Sequence, residues 1–227
     1  MDKRSALIVG AGAGLSASLA RLFSKNGMRV ALAARNTDKL AALAAETGAT
    51  THACDVSKAD DVAHLFAQLD GPPDVVVFNP SARSRGPVAE LNPHDVERAI
   101  AISAFGGFLV GQAAAKAMLP RGSGTIIFTG ASASVKGYPL SAPFAMGKFA
   151  LRGLAQSMAR ELAPKGIHIA HVVIDGGIHG PAHAMPADAP DSMLEPDAIA
   201  ETYLHLVKQH RSAWTWEIEL RPWVERF

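Results

Sequence analysis

Gly10-Ala11-Gly12-Ala13-Gly14 is the stretch whose residue types and spacing point most directly to chemistry. Residues this small let a backbone approach a pyrophosphate. A helix starting at once after them would offer free N–H groups and the positive end of its dipole to the same anion. Leu15 stands where a GxGxxG string has its third glycine, so the surrounding elements must carry the reading. The second chemical signal is Arg35. Roughly 20 residues beyond the last glycine, where an NAD site places an acid for the ribose hydroxyls, the chain has Ala34-Arg35 instead. A planar, permanently charged guanidinium grips a phosphate bidentately. The expected cofactor is therefore NADP(H), less readily NAD(H).

The elements that would position these residues are legible in the apolar pattern. Ala6–Val9 has the length and composition of a buried strand, and Leu15, Leu19, Leu22 and Phe23 mark one helix face behind the glycines. Asn26-Gly27 ends that helix, and Met28–Ala34 reads as a second strand. Asn36 or Thr37 caps a helix carrying Leu40, Leu43 and Ala44, closed by Gly48. Ala49–Val56 is expected as a third strand, and Ser57 as the cap of a helix with Val62, Leu65, Phe66 and Leu69 as its stripe. Val75–Phe78 is a fourth strand, apolar throughout. Asn92-Pro93 opens a helix expected to run to Leu119. Thr125–Thr129 and Ile167–Ile174 flank a helix from Ser141 to Ala163. The irregular segment Gly176–Leu194 has the character of a lid. A helix from Pro196 and a strand Trp214–Leu220 complete the pattern. Alternation without a linker predicts one α/β domain over residues 1–227, a Rossmann-type doubly wound parallel sheet of about seven strands with helices on both faces. Ligands in such sheets bind outside the C-terminal strand ends, near the switch in strand order.

Composition narrows the partners. A net charge of +1 gives no electrostatic case for nucleic acid or an anionic membrane. No apolar run approaches the ~18 residues of a membrane span, and the run after Asp2-Lys3-Arg4 is too short for a signal peptide. The single cysteine, Cys54, fits a reducing, cytoplasmic setting. His168 and His171 fall on opposite faces of one strand, and Gly180-Pro181 separates His179 from His183, so no metal site is expected. His179, His183 and Asp175 remain candidates to meet a substrate or donate a proton.

Over nearly its whole length the sequence resembles the short-chain dehydrogenase/reductases, single-domain Rossmann enzymes that move hydride between NAD(P)H and carbonyl or alcohol substrates. Gly10 to Gly14 matches the first two glycines of the family's TGxxxGxG turn, with Val9 and Ser16 in place of its Thr and last Gly. Asp55 matches the acid beside the adenine ring, and Asn79, in Phe78-Asn79-Pro80-Ser81, the second Asn of NNAG. Lys148–Gly166 is similar to the helix after the active site. The resemblance implies cofactor contacts from Gly10, Gly12, Gly14, Leu15, Arg35, Asp55, Val56, Asn79, Lys148 and Ile178.

At the family's catalytic positions the sequence departs from it. The Tyr and Lys spaced i and i+4 become Phe144 and Lys148, the Ser thirteen residues before the Tyr becomes Ala131, and the helix Asn becomes Ser103. Phe144 has no exchangeable proton. Lys148 can still hold a ribose, and Ser132, Ser103, Tyr138 or Lys148 itself are the candidates for catalysis. Two readings follow: an NADP(H)-dependent oxidoreductase of a small, apolar carbonyl or alcohol with a rebuilt proton route, or a dinucleotide-binding protein without redox activity. Phe144, Leu140 and Met146 are the expected walls of the apolar pocket. The family's habit of pairing its two long helices across a two-fold axis implies a homodimer or homotetramer.

Overall fold

The structure, a computed structural model, describes residues 4–180 and 183–225. Seven strands lie in one sheet, all neighbours parallel, in the order β3-β2-β1-β4-β5-β6-β7. They are β1 (Ser5–Val9), β2 (Arg29–Ala34), β3 (Thr50–Ala53), β4 (Val75–Phe78), β5 (Gly124–Thr129), β6 (Ile167–Ile174) and β7 (Glu217–Leu220). The helices are α1 (Leu15–Lys25), α2 (Ala41–Thr47), α3 (Ala59–Ala67), α4 (Pro93–Ile100), α5 (Gly106–Met118), α6 (Ala142–Leu162) and α7 (Pro196–Lys208).

The central strands β1, β4 and β5 are largely apolar and buried because both sheet faces are covered there, whereas the edge strands β3 and β7 carry polar and exposed residues. In β1, Ala6 and Ile8 point into a core with Leu19 and Phe23 of α1 and Tyr203 and Leu206 of α7. Leu7 and Val9 point the other way, against Val110 and Ala114 of α5 and Leu151 and Ala155 of α6. The chain builds β1, β2 and β3 outward in one direction, then returns to place β4 on the other side of β1. That reversal opens a crevice at the C-terminal strand ends.

Several elements differ from the sequence expectation. The helix expected from Asn92 to Leu119 does begin there: Asn92 Oδ1 accepts the His94 N–H at 2.9 Å, with Pro93 in the first turn. It widens into a π turn at Ala101–Phe105, however, before continuing as α5. Small residues allow the neighbouring elements to cross closely here. A Cβ on Gly107 would lie 2.4 Å from Leu151 Cδ1, and one on Gly147 would lie 2.8 Å from Ser103 Cβ. The whole stretch Pro93–Arg121 is long and apolar enough to cross a bilayer, but its buried side packs on the sheet as a core helix does.

Ser57 does not cap α3. Its hydroxyl and N–H both go to Asp55 Oδ1, at 2.7 and 3.1 Å, and Lys58 takes the cap position without a side-chain bond. The aspartate two residues back captures the hydroxyl before the helix can. The third strand stops at Ala53, so Cys54, Asp55 and Val56 turn toward the crevice. The last strand starts only at Glu217, and Trp214 ahead of it stacks on His168 with ring centroids 4.9 Å apart.

Candidate active site

The glycine turn leaves β1 at Gly10, whose φ of +81° suits glycine. A Cβ there would meet Pro80 N at 2.6 Å, so the turn lies directly against the exit of β4. Gly12 and Gly14 behave differently: a Cβ on either would touch no protein atom within 4 Å. Their backbone faces open space at the start of α1, which has no side-chain cap and no acid in its first turn. Such an end accepts an anion. Leu15 buries its side chain in the core, so only its backbone is available to a ligand. Ser16 was read only as a replaced glycine. Its buried hydroxyl donates to Gly10 O at 3.2 Å and accepts from Asn79 Nδ2 at 2.8 Å, tying the turn to β4.

A cavity of about 930 Å³ runs along the strand ends across this crevice. On the β2 side it is lined by Arg35, Asn36, Lys39, Asp55 and Val56. Lys39, in the 3-10 turn that follows the irregular stretch after Arg35, gives no signal in the sequence but lines the same side of the cavity. The Ser57 hydroxyl holds the Asp55 carboxyl below its ordinary range, with help from the Ser57 N–H and the charges of Arg35 and Lys58. Burial, reinforced by Asp61 and Asp55, pushes the Cys54 thiol up to about 11, which leaves it protonated and unreactive at neutral pH.

On the other side of the crevice the lining is Asn79, Ser81, Arg83, Ala99 and Ile102. Lys148 is buried behind it, its Nζ donating to Thr129 O at 2.7 Å. Burial, and then the Arg83 cation, pulls its pKa down to about 7. Phe144, one turn earlier on α6, has its ring centroid 6.0 Å from Lys148 Nζ. The Arg83 guanidinium carbon stands 4.2 Å from the same centroid. Phe144 also packs with Ala131 and Ala133 in a small apolar cluster.

The remaining candidates are scattered. Ser103 is buried in the π turn, where its Oγ accepts the Ala82 N–H at 3.4 Å. Ser132 is half-buried at the start of a short 3-10 turn, whereas the fully buried hydroxyl there belongs to Ser134, which accepts the Ala131 N–H at 3.1 Å. Tyr138 is exposed, 5.8 Å from the Lys136 ammonium by its ring centroid, and is not part of the cavity wall. Ile178 bridges to Leu194 beside the α1–α7 core and does not line the cavity. Of the three expected pocket walls, Leu140 and Met146 are half exposed and Phe144 is buried, and none of them lines the cavity.

Asp175 is buried between Lys136, at 3.4 Å, and Arg221, at 3.2 Å, and its carboxyl is taken up by these two ion pairs. His179 pairs with Glu195 at 2.8 Å. His171 is fully buried with Nδ1 at 3.0 Å from Glu217, and burial pushes its pKa down to about 4. Among the described residues no three or more His, Cys, Asp or Glu side chains gather as metal ligands would.

This arrangement can hold a dinucleotide along the strand ends and keep a titratable ammonium behind an aromatic ring. Comparison with known proteins agrees with the fold. The pattern described as short chain dehydrogenase matches residues 4–185. Momilactone A synthase of Oryza sativa subsp. japonica is 33% identical over 84% of this chain and 72% of its own length. Among solved structures, a short-chain dehydrogenase from Rhodopseudomonas palustris is 36% identical with a TM-score of 0.85, covering 98% of this chain and 100% of that one. A metagenomic short-chain oxidoreductase in complex with NADP is 28% identical with a TM-score of 0.86, covering 98% of each chain. On its sequence and its seven-stranded fold, the chain belongs to the short-chain dehydrogenase family.

Proposed function

We propose that this protein is an NADP(H)-dependent oxidoreductase of a small carbonyl or alcohol substrate in which Lys148, not a phenol, handles the proton. The observation that carries the reading is a cavity at the strand ends lined by Gly10, Arg35 and Lys39 on one side, where the chain runs on into the bare backbone of Gly12 and Gly14, and by Arg83 on the other, with Lys148 buried off the wall but close enough to feel the Arg83 charge. The residues fit the cofactor. Gly12 and Gly14 leave room where a Cβ would intrude on a pyrophosphate, and Arg35 and Lys39 offer charge to a 2′-phosphate. Asp55 and Val56 wall the adenine end. NADPH, when bound, supplies a hydride to the carbonyl carbon. Lys148 Nζ gives a proton to the carbonyl oxygen and is recharged from water. Its pKa near 7 suits an acid that must both hold and release that proton at neutral pH. Ala99 and Ile102 provide apolar surface for the body of the substrate. Tyr138 is the next candidate donor, but it stands exposed beside Lys136.

The cofactor reading has a direct test. NADPH is expected to bind more tightly than NADH, and Arg35→Ala to remove most of the preference. A charged hydrogen bond is worth about 1.5–3 kcal/mol, or roughly 10- to 150-fold. Fluorescence titrations giving equal dissociation constants for both cofactors in the unmodified protein would overturn it.

One observation favours the second reading, a cofactor-binding protein without redox activity. Where a proton relay needs hydroxyls, Ala131, Ala133 and Phe144 close into an apolar cluster. Tight NADPH binding with no carbonyl-dependent oxidation across a broad aldehyde and ketone panel would establish it.

The protein works as a homodimer or homotetramer in a cytoplasmic setting. Phe105 and Phe108 stack on each other in the exposed π–α5 segment, with centroids 6.2 Å apart, and Met146 and Phe149 of α6 are exposed as well. Covering these side chains with a second copy removes them from water. Phe149→Glu should shift the light-scattering mass toward the monomer without loss of helical signal. A monomer mass for the unmodified protein at micromolar concentration would count against the assembly.

A further inference from the structure

We infer that the substrate carries an oxoanion, a carboxylate or a phosphate group, and that Arg83 binds it beside Phe144. The inference deepens the reductase reading and rests on it for the identity of the reacting group. Arg83 lies on the loop that leaves β4 through Asn79 and Pro80, and its guanidinium stacks on the face of the Phe144 ring. A stacked guanidinium keeps its N–H edge free, and that edge matches the two oxygens of an oxoanion. Among the described residues, no carboxylate forms an ion pair with Arg83.

Arg83 is solvent-exposed, so its N–H edge is open to an incoming anion, and its neighbours are cationic. Arg98 lines the same cavity, and Arg85 stands close enough that, after partial burial, its charge is what lowers the Arg83 pKa. Lys148 approaches the same ring. Asp95 is the carboxylate on this part of the wall. The local balance is positive, and a cleft of this sign concentrates anions. Arg35 and Lys39, the cations suited to the cofactor, lie on the β2 side of the β1–β4 switch, whereas Phe144 and Lys148 belong to α6 beside β5. Arg83 thus stands next to the reacting end rather than the adenosine end.

An anion on Arg83 also acts on Lys148. With that neighbouring charge neutralised, Lys148 holds its proton more firmly. The groups facing it are Arg83 and the buried, neutral His171, so Arg83 dominates the change. Binding near neutral pH should then be accompanied by proton uptake, and the substrate would load the acid that serves it.

The test compares matched probes: levulinate with its methyl ester, and dihydroxyacetone phosphate with dihydroxyacetone. Each is titrated calorimetrically into the protein without and with NADPH, in buffers of different ionisation enthalpy, and then assayed for NADPH oxidation. At least one anion should bind about tenfold or more tightly than its neutral partner, with proton uptake. Which pair shows it separates the carboxylate from the phosphate. Arg83→Met should abolish the preference and the uptake, and Arg83→Lys should restore part of the preference. NADPH affinity should hold in both variants. The inference is overturned if neither anion is preferred, if the preference survives Arg83→Met, or if Arg83→Met weakens NADPH instead. Binding without any NADPH oxidation would overturn the reductase reading and leave the anion site standing.

Discussion

Lys148→Met should abolish carbonyl reduction while making the protein more stable at neutral pH. The ammonium is buried with Thr129 O as its hydrogen-bond acceptor, and burial has moved its pKa from 10.5 to about 7. At about 1.4 kcal/mol per unit, holding that charge in the fold costs roughly 5 kcal/mol at pH 7 and below. Methionine has a similar shape and no charge. It leaves the Thr129 carbonyl without its donor, which costs about 1–3 kcal/mol, so the net effect at pH 7 is stabilising. The sign follows from linkage. Between pH 7 and 10.5 the unfolded chain binds the Lys148 proton and the folded one does not, so the parent gains stability with rising pH. The gap between the two proteins therefore narrows from pH 7 to pH 10. Urea midpoints at both pH values measure it. A variant less stable at pH 7, or a gap that ignores pH, would show that the ammonium carries no such penalty. Activity should fall by about 10²–10⁴-fold, the usual worth of a positioned acid. Reduction surviving within tenfold would move the proton to Tyr138, and Tyr138→Phe would then be the decisive variant.

The sheet was readable because it is made of the simplest signals. Val75–Phe78 is apolar without alternation, as a strand covered on both faces must be, and Ile167–Ile174 departs from that only at His168 and His171. Arg35 was equally readable, since its place at the end of β2 follows from the strand alone. Arg83 was not. It sits in a loop with no period, and its partner ring arrives on α6, far along the chain. The π turn at Ala101–Phe105 was hidden because small and apolar residues continue through it. Gly147 passes this turn so closely that a Cβ there would lie 2.8 Å from Ser103 Cβ. The sequence leaves Asp175 open as a substrate contact or proton donor because Lys136 and Arg221, which pair with it, come from separate loops. Local periodicity dictates the scaffold, while the charges that set the chemistry meet only through the tertiary fold.

Phe144→Tyr alone should give at most weak turnover of simple aldehydes or ketones, and Phe144→Tyr with Ala131→Ser about tenfold or more above either single change. Phe144, Ala131 and Ala133 share one apolar cluster, so a lone phenol there lacks a hydroxyl partner from the neighbouring turn. Burial among apolar groups raises the pKa of a phenol, while Lys148 and Arg83 beside the ring lower it. The electrostatics thus favour an acid at this position, and the missing component is the hydroxyl that orients it. Serine at 131 supplies that hydroxyl within the same cluster. Residues that act as a unit give strongly non-additive gains, so the double variant should exceed the product of the single effects. Initial rates of NADPH oxidation for the parent, both single variants and the double variant complete the cycle. A large gain from Phe144→Tyr by itself would show that the rest of the hydroxyl machinery is already in place, and the rebuilt route through Lys148 would be wrong.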